Sequence, residues 1–186
     1  ARDLPDPPSV WAEGGSRILD YRPAADPGPT VLVVPSLVNR AYVLDLMEGQ
    51  SLLRFLAAQG VRPLLLDWGW PGEVERGFVL TDYVAGRLER AMEAAVTLAG
   101  GPVVLAGYCM GGNLAVAAAA RRPDLIRALA LLATPWDFHA PDPERARQAA
   151  ACVPLLEPVM GLSGTLPIDG LQTLFAVLDR FGVGDK

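Results

Sequence analysis

One histidine, two cysteines and no crowding of basic residues set the first limits on this 186-residue sequence. No apolar run reaches about 18 residues, the length at which a helix begins to span a bilayer, which argues against a transmembrane segment. The N-terminal stretch ARDLPDPPSV lacks the basic-then-apolar layout of a secretory signal. Cys109 and Cys152, without an export signal, read as free thiols in a reducing cytoplasm. Arg121-Arg122 is the only adjacent basic pair, and the net charge is -5. Nucleic-acid binding needs clustered Lys and Arg, so no nucleic-acid partner is expected, and an anionic ligand has to be held locally. With hydrophobic residues at 51% and charged residues at 20%, the chain has the material for one sizeable core.

Strand-type and helix-type patterns alternate along it. Residues 1 to 16, rich in Pro, Asp and Gly, read as an irregular lead-in, followed by a strand at Arg17 to Tyr21. Thr30 to Pro35 is a short apolar run of the kind buried on both faces of a sheet. Leu44 to Gln59 has near-helical apolar spacing and ends at Gly60, suited to a left-handed cap. Val61 to Trp68 repeats the strand signal, and a helix with Thr81 as N-cap follows. Pro102 to Gly107 with Asn113 to Arg122, then Ile126 to Pro135, complete the series. Such alternation predicts an α/β fold with a mostly parallel sheet and helices on both faces. Residues 1–135 form the N-terminal part of that core. Residues 136–186, with several prolines and no strand signal, read as an incomplete helical cap. The chain begins at Ala and ends in FGVGDK soon after a helical pattern, as expected of a fragment.

Between the third strand and its helix stands GYCMGG, residues 107 to 112. A Gly-x-nucleophile-x-Gly stretch in that setting is a nucleophile elbow, in which small neighbours permit a sharp turn that presents the nucleophile at the sheet's C-terminal edge. Cys109 then sits at a helix N-terminus, where unpaired N–H groups and the helix dipole favour an anion. The Met110 N–H is one expected oxyanion donor, and the loop Pro35 to Arg40 supplies the other, Leu37 or its neighbour Val38. The bland reading of Cys109 is a buried structural cysteine in a tight turn. Its flanking strand and helix favour catalysis. Cys152 has no such context and reads as packing. His139, beside Asp137, follows the fourth strand by a few residues, whereas hydrolase triads place acid and histidine on later strands. Asp67 belongs to the active-site layer by topology, with a loop-capping role favoured. The two tryptophans of DWGWPG either line the cleft or pack, and Arg40 stands near the site.

These motifs give the sequence a resemblance to the polyhydroxyalkanoate synthases, polymerases of the α/β-hydrolase fold with a cysteine nucleophile. The resemblance is carried by VVPSLVNRAYVLDL, SLLRFLAAQG, LLLDWGWPG, DYVAGRLERAMEAA, GYCMGGNLA and LLATPWDF, over about residues 31 to 138. It implies that Cys109 is the catalytic cysteine, that the family's Asp and His fall beyond Lys186, and that the 186-residue chain is inactive alone. It further implies a hydroxyacyl-CoA substrate and a growing polyester chain. No cofactor or metal is implied, since coenzyme A enters only as the leaving group. A homodimer or a helical partner subunit, and a cytoplasmic location at polyester granules, follow from the same resemblance. A cysteine thioester keeps the activation of an acyl-CoA, whereas a serine ester discards it, so the exchange of serine for cysteine suits polymerisation. Such an intermediate needs shelter from water. Leu155, Leu156, Val159, Met160, Leu162, Leu171, Leu174 and Phe175 either provide it or form the core face of cap helices. Two other readings stay open: a thioesterase or polyester depolymerase with the same nucleophile, and a non-catalytic granule scaffold.

Overall fold

Unbroken runs of Val and Leu favour strands covered on both faces, and three of them form the centre of the sheet in a computed structural model that describes residues 4–23, 28–137, 143–164, 166 and 170. They are β3 (Thr30–Val34), β6 (Arg62–Asp67) and β7 (Val103–Tyr108). β3 lies between the other two and parallel to both, with Leu32 opposite Leu64 on one side and Leu105 on the other. β8 (Ile126–Leu132) extends the parallel set beyond β7. On the opposite flank β2 (Ser16–Asp20) and β1 (Ser9–Glu13) are antiparallel, and the strand order is β1-β2-β6-β3-β7-β8.

Alternate residues of each central strand enter different cores. Leu32, Val34, Leu64, Leu66, Val103 and Leu105 pack with helices α2 (Glu89–Ala99) and α3 (Met110–Arg121). Val33, Leu65 and Ala106 face the other way, toward Leu53 of α1 (Leu52–Ala58) and a single 3-10 turn, Ala41–Leu44. Both faces of the sheet are therefore covered, as the alternation of strand and helix patterns predicts.

Three local expectations are corrected. The lead-in contains β1, because an edge strand pairs on one side only and tolerates polar Ser9 and Glu13. The helix expected from Leu44 begins only at Leu52, after a two-strand hairpin, β4 (Asp45–Met47) and β5 (Gln50–Ser51). Gly49 makes that turn at φ +75, and Asp45 is drawn inward by the Tyr21 hydroxyl (2.9 Å) and Arg54 Nε (2.8 Å). Burial raises the Asp45 pKa, but hydrogen bonds from Arg54, Ser51 and Tyr21 outweigh it and hold the carboxyl at about 2. Ser51 caps α1 by accepting the Arg54 N–H at 3.0 Å. Thr81 is not a cap: its backbone is already helical and its side chain makes no capping bond. Asp82 instead reaches back over the helix start and accepts the Val79 N–H at 2.8 Å. The next turns, Asp82–Leu88, are π-helical before α2 begins.

The chain divides into two compact units, Ala1–Pro135 and Trp136–Lys186. In the second unit α4 (Pro143–Ser163) carries Pro154 and Pro158 within it. Among the described residues no helix is long and apolar enough to cross a membrane.

Candidate active site

β7 ends at Tyr108 and α3 starts at Met110, leaving Cys109 as the whole connection between a strand and a helix. Its backbone lies at φ 53, ψ -132, in the left-handed range that side-chain-bearing residues rarely adopt. Such a conformation costs about 1–3 kcal/mol and persists only where its surroundings enforce it. Here the Cys109 N–H donates to the Leu132 carbonyl of β8, and the Cys109 carbonyl accepts from the Gly112 N–H, each at 2.9 Å. The neighbouring glycines are set by close approach. A Cβ at Gly107 would run into the Gly112 backbone, one at Gly111 into the carbonyls of Val34 and Pro35, and one at Gly112 into the Thr134 side chain. Gly112, outside the minimal motif, is as constrained as the two glycines within it. Asn113 adds a further tie by donating Nδ2–H to the Pro135 carbonyl at 2.7 Å.

The approach of Gly111 to Val34 and Pro35 brings the loop after β3 against the first turn of α3. Met110, the first residue of that helix, contributes one of the backbone N–H groups that a helix start leaves without an intrahelical partner. In the loop, the Val38 N–H donates to the buried Ser36 hydroxyl at 3.0 Å. The Leu37 N–H makes no hydrogen bond among the described residues. Leu37 packs against the core shared with α2 and α3. Trp68 reaches the same loop, donating its indole N–H to the Pro35 carbonyl at 3.0 Å.

The remaining candidates separate clearly. Asp67 is held by Arg17 Nε and by the Gly69 N–H, both at 3.1 Å, which is a loop-capping arrangement. Trp68 is buried, whereas Trp70 is 71% exposed and stacks beneath Arg40, whose guanidinium lies 4.4 Å from the ring centroid. Arg40 also donates to the Gly69 carbonyl at 2.7 Å. The loop after β6 is fixed from below by Glu75, which accepts from the Gly15 and Gly72 amides and from Arg87. Chiefly through the Arg87 hydrogen bond, the Glu75 pKa is drawn down to about 2. Cys152 is a half-buried residue of α4. In the same helix Val159, Met160 and Leu162 are exposed. His139, Phe138, Leu171, Leu174, Phe175 and the Leu155 side chain lie outside the described residues. No cluster of three His, Cys, Asp or Glu that suits a metal ion occurs among the described residues. Sequence reasoning passed over Ser36 and Asn113. The Pro-Ser pair two residues before Val38 is the signal that a hydroxyl-stabilised turn was available there.

A strand-elbow-helix unit at the C-terminal edge of a parallel sheet is the arrangement described for α/β hydrolases, and residues 29–151 match the family model of the alpha/beta hydrolase fold. The chain belongs to that family. Its hydrolase-fold core has sequence relatives named poly(3-hydroxyalkanoate) polymerase subunit PhaC. It is 38% identical to the protein from Allochromatium vinosum over 64% of this chain and 34% of that one. For Synechocystis sp. the figures are 36%, 72% and 36%, and for Haloferax mediterranei 30%, 91% and 35%. The chain thus spans about a third of the length of these curated relatives. Among solved structures, a thioesterase domain from the curacin biosynthetic pathway has a TM-score of 0.52 at 22% identity, covering 76% of this chain and 49% of its own. A soluble variant of monoglyceride lipase from Saccharomyces cerevisiae has a TM-score of 0.57 at 13% identity, covering 81% and 52%. At these identities the structural likeness establishes the hydrolase fold alone.

Proposed function

We propose that the protein is a polyhydroxyalkanoate synthase that polymerises hydroxyacyl groups from coenzyme A thioesters, with Cys109 as the covalent carrier. The observation behind the reading is the enforced left-handed conformation of Cys109 between β7 and α3, in a chain whose sequence relatives bear a polymerase name. The Cys109 thiolate attacks the thioester carbonyl carbon, and the new oxyanion accepts hydrogen bonds from the Met110 N–H and from Leu37 or Val38. With Val38 already donating to Ser36, Leu37 is the better placed of the two. Collapse breaks the carbon–sulfur bond to coenzyme A, whose thiolate takes up the proton that Cys109 lost to a base. A second substrate's or growing chain's hydroxyl then attacks the Cys109 thioester. An ester bond forms, the Cys109 carbon–sulfur bond breaks, and the hydroxyl proton returns to the thiolate through the same base.

The Asp and His of that base are assigned to sequence beyond Lys186. His139, the only histidine of the chain, stands outside the expected order of a hydrolase triad. The product is an insoluble polyester, so the working site is the surface of a cytoplasmic granule. The test is turnover of 3-hydroxybutyryl-CoA by the full-length polypeptide. Coenzyme A release with accumulation of polymer, both lost in Cys109→Ala, is expected. Release of monomeric free acid alone would instead identify a thiol hydrolase. The 186-residue chain by itself is expected to be inactive, and turnover that disappears on His139→Ala would refute that assignment.

A further inference from the structure

Trp68 is one of the residues that tie the body of the fold to the loop Pro35 to Arg40, and it does so at the loop's first carbonyl. The indole is 8% exposed and donates to the Pro35 carbonyl at 3.0 Å, two residues before Leu37 and across from the Gly111 backbone. A buried indole N–H needs an acceptor, and a carbonyl crowded by a helix start needs a donor, so the bond serves both partners. The ring itself is clamped. Tyr83 meets it edge-on at 5.6 Å and 88°, Phe78 meets Tyr83 edge-on at 5.2 Å and 80°, and the Arg87 guanidinium lies 5.4 Å from the Phe78 ring centroid. Arg87 is anchored to Glu75 at 2.8 Å and to the Glu13 carbonyl at 2.6 Å. Tyr83 and Arg87 both belong to the π-helical run Asp82–Leu88.

We infer that Trp68 is a positioning residue: its indole N–H fixes the backbone of Pro35 to Val38 so that the loop amide is preset for the thioester oxyanion. This rests on the acyl-transfer reading above. An oxyanion donor is effective because it is held in place before the charge develops, and loss of one such donor slows reaction by about 10²–10³-fold. A displaced donor should cost less, on the order of tenfold. Alkylation of Cys109 by iodoacetamide creates no oxyanion and does not depend on the loop amide.

The test uses the full-length polypeptide in two variants, Trp68→Phe and Trp68 replaced by 3-benzothienylalanine, which keeps the bicyclic shape and removes the N–H. Two rates are measured at Cys109, acylation by 3-hydroxybutyryl-CoA and alkylation by iodoacetamide, together with amide hydrogen exchange at Val38. In the benzothienyl variant acylation should slow by about tenfold, alkylation should stay within about twofold, and Val38 exchange should quicken while β7 amides keep their protection. Unchanged acylation with unchanged Val38 exchange would overturn the inference, as would an equal fall in acylation and alkylation. Should the parent protein form no acyl-Cys109 at all while Val38 exchange still responds to the variant, the acyl-transfer reading fails and the role of Trp68 in holding the loop stands.

Discussion

The flank of the sheet that ends in β1 and the flank that ends in β8 are finished in opposite ways. On the β1 side the strands are antiparallel and tied down by ion pairs: Arg62 with Asp20 at 2.7 Å, Arg17 with Asp67 at 3.1 Å, and Arg87 with Glu75 at 2.8 Å. The edge strand itself is short and carries Ser9 and Glu13, features that discourage further pairing. On the β8 side the last strand, IRALALL, has apolar residues on both faces, yet Leu129, Leu131 and Leu132 are exposed. Its neighbour β7, of similar composition, is mostly buried. β1 is built as an edge; β8 has the composition of an interior parallel strand. The elbow lies one strand inside this open flank and donates a hydrogen bond to it, from the Cys109 N–H to the Leu132 carbonyl.

Four changes probe the contrast between a pinned flank, a crowded centre and an open flank. Glu75→Ala should have the largest effect, because it takes one of two carboxylate partners from the buried Arg87 guanidinium, which keeps Glu13, and removes the acceptor of the Gly15 and Gly72 amides; denaturant unfolding should show a loss of about 4 kcal/mol. Gly111→Ala, at the centre, forces a Cβ against the Val34 and Pro35 carbonyls, and about 3 kcal/mol is expected by the same measurement. A loss as small as that of a surface substitution would mean that the elbow is looser than its contacts imply.

Acid should act on the pinned flank first. The folded Glu75 carboxyl titrates at about 2, against 4.5 ordinarily. Being depressed, it stabilises fully above the ordinary value, and the contribution is lost as pH falls from about 4.5 toward 2. Hydrogen exchange across that range should show β1 and β2 losing protection, a trend that Glu75→Ala flattens. The smallest effect on stability belongs to Leu131→Lys on β8, within about 0.5 kcal/mol. Denaturant unfolding that instead showed a loss of several kcal/mol would mean that Leu131 is packed as tightly as the residues of β7.

The parts of the fold that sequence made legible were those governed by local pattern. Unbroken apolar runs marked β3, β6, β7 and β8, Gly60 marked the end of α1 with φ +81, and GYCMGG marked the elbow. What escaped depended on partners far along the chain. The helical spacing after Leu44 was overridden by Asp45, which bonds to Tyr21 24 residues away. β1 took its strand form from pairing with β2 rather than from its own composition. At the site, the positions of Cys109, Met110 and the loop Pro35 to Arg40 were readable from motif order. The bond from Trp68 to Pro35 joins residues 33 apart and has no local signature. The bond from the Val38 N–H to the Ser36 hydroxyl is a short-range feature that the sequence contained and that motif reasoning passed over.

The direct test of Cys109 as an acyl carrier is peptide mapping by mass spectrometry, on folded full-length polypeptide quenched in acid shortly after exposure to 3-hydroxybutyryl-CoA. A hydroxybutyryl thioester on the peptide holding Cys109, absent from Cys109→Ala, is the predicted result. Turnover without acylation of Cys109, or an adduct on Cys152 that persists in Cys109→Ala, would contradict it.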